Sequence, residues 1–134
     1  MMKNQTPIKI SHLFRSLSQP ARIEILLAIG SGEACVCHLE AMLQMRQAYI
    51  SQHLMALREA GILEARREGR FVFYRLKSPE IMKFIRLAAQ TVGIPEDKVV
   101  FATGERPHEG CCCPHCAPVP ADGLIEIRLS EANR

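Results

Sequence analysis

A mainly α-helical domain carrying one β-hairpin is the fold this chain predicts, and three observations predict it. Apolar residues recur at helical spacing in four successive segments before residue 61. The pattern then changes to β-favouring runs on either side of Gly69-Arg70. A fifth helical stripe follows, opened by Ser78-Pro79, a capping serine followed by a proline suited to the first helical position.

The elements follow in order. Ile10, Leu13, Phe14 and Leu17 keep helical spacing until Ser18-Gln19-Pro20 interrupts it, and Pro20 suits the first turn of the next helix. Ile23, Leu26, Leu27 and Gly30 form the second stripe, ended by Gly30-Ser31-Gly32. A third, short helix is expected from about Val36 to Leu43, with Leu39 and Leu43 turned inward. The fourth is expected from about Gln47 to Ala60, where Ile50, Leu54 and Leu57 give the i, i+4, i+7 stripe and Gly61 a natural stop. Ile62 to Glu68 and Phe71 to Lys77 read as a hairpin with basic residues near its tip. Ile81, Phe84, Ile85, Ala88 and Val92 make the apolar face of the fifth helix. Helices three and four, joined by Met45-Arg46, make a helix-turn-helix, and the basic hairpin after them is the wing of a winged helix. This gives a winged helix-turn-helix domain over residues 1–95 and a Cys-rich tail over 96–134. Within the tail, residues 102–123 read as loop, and the alternation from Leu124 to Leu129 as a short terminal strand.

The 134 residues, 48% hydrophobic, suit a single core. No apolar run approaches the roughly 20 residues a membrane span needs, and no signal-peptide pattern precedes the first helix. The expectation is a cytoplasmic protein with no membrane partner, whose thiols stay reduced. The net charge of +3 is mild, but Arg58, Arg66, Arg67, Arg70, Arg75 and Lys77 crowd into one stretch.

That basic stretch lies beside a polar helix face. The second helix of a helix-turn-helix enters the major groove, N-terminal residues toward the bases. Here that face offers Gln47, Tyr49, Ser51, Gln52 and His53. Gln52 suits adenine, and Ser51 or His53 a phosphate, while Arg67 and Arg70 on the wing suit backbone or minor-groove contacts. Double-stranded operator DNA is the expected partner. His53 has a second reading, burial beside Leu54 with its ring satisfied by a backbone carbonyl.

Six cysteines occur in two tight groups, Cys35-Val36-Cys37 and Cys111-Cys112-Cys113-Pro114-His115-Cys116. Scattered core thiols or an evenly spaced disulfide framework would look different; this spacing points to soft-metal ligation or reactive dithiols. Residues at i and i+2 of a regular helix do not face each other, so Cys35 and Cys37 can share an ion only if Cys35 lies at or before the helix cap, or if the first turn distorts. A helix N-terminus is also expected to favour their thiolates. The candidate ligands are Cys35, Cys37, Cys111, Cys112, Cys113 and Cys116, with Cys111 to Cys113 favoured over Cys116 if only one tail partner exists. The candidate ions are arsenite for a three-sulfur site, or Cd(II), Pb(II) or Zn(II) when a fourth sulfur or His115 joins. Other readings are a repressor switched by dithiol/disulfide or reactive-sulfur chemistry, a metal-storage or delivery protein, and a tail with only adventitious affinity. Cys113-Pro114-His115-Cys116 looks like the active-site tetrapeptide of thiol oxidoreductases, but no thioredoxin-type strand and helix surround it, so no enzyme is expected.

Residues 8–77 resemble the ArsR/SmtB family of metal-sensing winged-helix repressors. The matching segments are Leu17-Ser18-Gln19-Pro20-Ala21-Arg22, Glu33 through Leu39, Ile50-Ser51-Gln52-His53-Leu54 with Leu57 through Leu63, and Gly69-Arg70 through Tyr74-Arg75-Leu76. The resemblance implies a homodimer built on the first and fifth helices, and operator DNA released when an inducer binds. The Cys35 segment resembles the metal box of the arsenic- and cadmium-responsive branches, with His38 where they carry Asp and Glu40 where the arsenite pattern has a third cysteine. Residues 1–34 contain no cysteine, which leaves the carboxy-terminal group to complete the site. The fifth helix lacks the His and Asp ligands of the zinc-type members, so no metal is expected there.

Overall fold

The structure, a computed structural model, describes residues 4–103 together with Cys111 and Cys113. Cys112, Cys116 and the expected strand from Leu124 to Leu129 lie outside the described residues. Helices α1 (Thr6–Ser16) and α2 (Pro20–Ile29) precede a two-residue strand β1 (Ala34–Cys35), then α3 (Val36–Leu43) and α4 (Gln47–Glu59). Strands β2 (Leu63–Glu68) and β3 (Phe71–Leu76) form the hairpin, and α5 (Glu80–Thr91) with a 3-10 turn at Glu96–Lys98 completes the order. This is the winged helix-turn-helix that the sequence predicts.

The stripes explain the burial. Leu26 of α2, Leu39 of α3 and Ile50, Leu54 and Leu57 of α4 are fully buried and pack into one core. α3 ends at Gln44, whose left-handed backbone (φ 54°) lets its N–H reach the Glu40 carbonyl at 2.9 Å and turns the chain into α4. Gly69, at φ 61°, supplies the positive φ that a tight two-residue hairpin turn needs. Ser78 Oγ accepts from the Glu80 N–H at 3.3 Å, the capping contact expected at the start of α5.

Two features go beyond the expected elements. β1 pairs antiparallel with β3, Ala34 opposite Tyr74 and Cys35 opposite Phe73, so the sheet has three strands in the order β1-β3-β2. Past the 3-10 turn the chain does not leave the domain but lies along α2. The Ala102 N–H donates to the Leu27 carbonyl at 2.8 Å, the Ser31 N–H donates to the Ala102 carbonyl at 3.1 Å, and Phe101 is buried in the core.

The apolar stripes of α1 and α5 keep part of their surface outward, on the two helices from which the family resemblance builds a homodimer. Ile10, Phe14 and Val92 are exposed, Phe14 at 56%, because nothing in the single chain covers them. No helix among the described residues is long and apolar enough to cross a membrane.

Candidate functional site: a thiol cluster at the N-cap of the third helix

Cys35 is the N-cap of α3 and also the last residue of β1. Its backbone is extended (φ −89°, ψ 171°), and its Sγ accepts from the His38 N–H at 3.4 Å. This meets the geometric condition on the i, i+2 pair: with Cys35 outside the helix, Sγ of Cys35 and Cys37 lie 3.1 Å apart. The tail supplies a third sulfur. Cys111 Sγ lies 3.3 Å from that of Cys37 and 3.8 Å from that of Cys35, so the three converge on one point. Cys113, fully buried, packs beside them with Cys35 and Cys111 against Phe73, and Phe71 and Ala41 close the edge. All four thiols are free of disulfide.

The electrostatics depart from expectation. The helix N–H at Cys35 does favour thiolate, but burial and the neighbouring Cys37 thiol outweigh it, and the Cys35 pKa is pushed up to about 12. Burial likewise raises that of Cys111. Burial therefore keeps the Cys35 and Cys111 thiols protonated, so an ion taken there would have to displace their protons. Of the six candidate ligands, Cys35, Cys37 and Cys111 meet in one group and Cys113 lies beside it.

On the α4 face, Gln47, Tyr49 and Gln52 are exposed and Ser51 is partly so, as a groove-facing helix requires. Arg67 and Arg70 are exposed on the wing. His53 is the exception: it is 5% exposed, which favours the reading as a buried residue beside Leu54. Its Nδ1 accepts from Arg22 Nε at 3.1 Å, Arg22 Nη1 donates to the Ser16 carbonyl at 3.1 Å, and the rings of Tyr49 and His53 meet edge to face. The partner is thus a guanidinium rather than the backbone carbonyl considered from sequence. His53 Nε2 has no hydrogen-bond partner among the described residues.

A recognition-type helix, a short helix before it and a basic three-stranded wing define a winged helix-turn-helix DNA-binding protein. Comparison with known proteins makes the class specific. The family description "Bacterial regulatory protein, arsR family" matches residues 19–65. The Biofilm growth-associated repressor of Agrobacterium fabrum is 37% identical over 99 residues, spanning 74% of this chain and 83% of that protein. The Arsenic resistance transcriptional regulator ArsR1 of Pseudomonas putida is 38% identical over 109 residues, spanning 75% and 84%. Among solved structures, HlyU from Vibrio cholerae superposes with a TM-score of 0.60 at 30% identity, covering 66% of this chain and 97% of that one. The chain belongs to the ArsR family of bacterial transcriptional regulators, DNA-binding proteins that are not enzymes.

Proposed function

We propose that this protein is a homodimeric repressor that binds operator DNA through Gln47, Tyr49, Ser51 and Gln52, with Arg67 and Arg70 on the wing, and releases it when a thiophilic ion is taken by Cys35, Cys37 and Cys111. The convergence of three sulfurs at the N-cap of α3 carries this reading. α3 leads through residues 44–46 into α4, so a ligand that pulls on the cap moves the helix that reads DNA. Couplings of this kind typically amount to about 1–3 kcal/mol, or roughly 5- to 150-fold in affinity.

Three converging sulfurs match the three-sulfur site expected for arsenite. The similarity to an arsenic resistance regulator points the same way. Cys113 packs in the same buried cluster but outside the three-sulfur group, and would have to move in to serve as a fourth sulfur for Cd(II), Pb(II) or Zn(II), which the test below distinguishes.

The test titrates arsenite, Cd(II), Pb(II), Zn(II) and oxidants against operator binding by the wild type, a Cys35→Ser/Cys37→Ser double variant and a truncation before Cys111. Arsenite is expected to weaken wild-type binding by at least about fivefold and to leave both variants bound. Release by Cd(II) alone would move the assignment to a four-sulfur site, and release by oxidants alone would replace ion sensing with dithiol chemistry.

A further inference from the structure

The thiol cluster has a second connection to the DNA-binding surface, through the sheet. Cys35 on β1 stands opposite Phe73 on β3, and Phe73 stands opposite Arg66 on β2. Residues directly opposite across a sheet share a face, so these three form one transverse row. Cys111 and Cys113 pack on the same Phe73. Arg66 Cζ lies 4.9 Å over the Phe73 ring. The row is then closed into a loop. Arg66 Nε and Nη2 each donate to a carboxylate oxygen of Glu33 at 2.8 Å, and Glu33 precedes Cys35 by two residues.

We infer that Glu33 and Arg66 are positioning residues of the inducer response, a strut that ties the segment leading into Cys35 to the wing so that closure of the thiol cluster reaches DNA through the wing as well as through α4. The inference rests on reading the cluster as the inducer site. Three features carry it. The pair is partly exposed, with side chains 44% and 27% accessible, so its contribution to stability is small and a positional role accounts better for its two-pronged geometry. A guanidinium fork bound to both carboxylate oxygens fixes direction as well as distance, which a single contact does not. Finally, successive strand residues point to opposite faces, so holding Arg66 against Phe73 orients Arg67 on the other side of the wing.

The experiment compares the wild type with Glu33→Ala and with Arg66→Lys, which keeps the charge and loses the fork. Surface positions of this kind tolerate substitution, and operator affinity without ion is expected to stay within about twofold for Glu33→Ala. In the wild type, filling the cluster with arsenite should reduce both operator affinity and the steepness of its salt dependence, the latter by about one phosphate contact. In both variants the affinity loss should be at least about threefold smaller and the salt slope unchanged, with arsenite binding itself retained. Loss of operator to the wild-type extent in Glu33→Ala overturns the inference. A second arm needs no ion: hydrogen exchange of the wing backbone is measured before and after Cys37, the half-buried thiol of the cluster, is alkylated with iodoacetamide, its complete modification verified by mass spectrometry. If arsenite fails to bind but alkylation alters wing exchange in the wild type and not in Glu33→Ala, the strut stands and the ion assignment falls. If alkylation alters both proteins alike, or neither, the strut is overturned.

Discussion

Cys35 shows how much a single residue can be made to do. It ends a strand, caps a helix and carries one of three converging sulfurs, and its extended backbone is what makes the three compatible. His53 is the second residue whose surroundings fix its behaviour. Burial, and after it the charge of Arg22, lower its pKa from the ordinary 6.5. The neutral ring is therefore the folded form, with Nδ1 kept as acceptor for Arg22. Below pH ~6.5 the unfolded chain binds the extra proton first, so stability is lost as pH falls from that point toward the folded pKa. Thermal unfolding of the wild type is accordingly expected to shift downward between pH 7.5 and 5.5. His53→Gln, which keeps an acceptor for Arg22 and cannot titrate, should remove that part of the shift. An unchanged pH profile in His53→Gln would place the acid sensitivity elsewhere. Sequence periodicity puts His53 beside Leu54 but is silent on which way the ring turns, because a helix position at the edge of the apolar stripe serves either face.

Among the elements, the helices and hairpin were readable because each repeats its signal over several turns or strand residues: Ile50, Leu54 and Leu57 mark one face, and Gly69 marks the turn. β1 was not, because two residues carry no period. Its existence depends on the β3 edge it meets, a long-range contact absent from local patterning. The segment that seats Ala102 on α2 was unreadable for the same reason, although Gly30 holds a trace of it. Gly30, read from sequence as part of a helix stop, has φ +54°, and a Cβ there would lie 1.8 Å from the Ala102 carbonyl oxygen. Gly30→Ala is expected to destabilise the fold by about 2–3 kcal/mol, the left-handed strain and the displaced segment together. Denaturant unfolding would measure it, and a change under ~0.5 kcal/mol would mean that the segment moves aside freely. Of the candidate site, the pairing of Cys35 with Cys37 and their meeting with a cysteine from the group at 111–116 were legible. That Cys111 reaches the pair while Cys113 packs under Phe73 was not, because a Gly- and Pro-rich connection sets no direction.

At the scale of the whole molecule, the exposed apolar residues of α1 and α5 are the surface on which we place the homodimer. Phe14 and Leu87 are more than half exposed in the single chain, an arrangement a lone soluble domain has reason to avoid and a dimer covers. Leu87→Glu, at a position where the isolated chain has room for any side chain, should raise the monomer fraction in sedimentation. It should also weaken operator binding by at least about tenfold, since two half-sites are then no longer gripped together. A Leu87→Glu protein that remains dimeric would move the interface elsewhere. The convergence of Cys35, Cys37 and Cys111 within the single chain has a further consequence for the proposed function. A homodimer built from such chains would own two whole receptors rather than sharing halves of them across its axis. Each subunit would then take up its ion on its own. Between the empty and the filled repressor would stand a singly loaded form, and the response to a rising dose would have two steps in which to be graded.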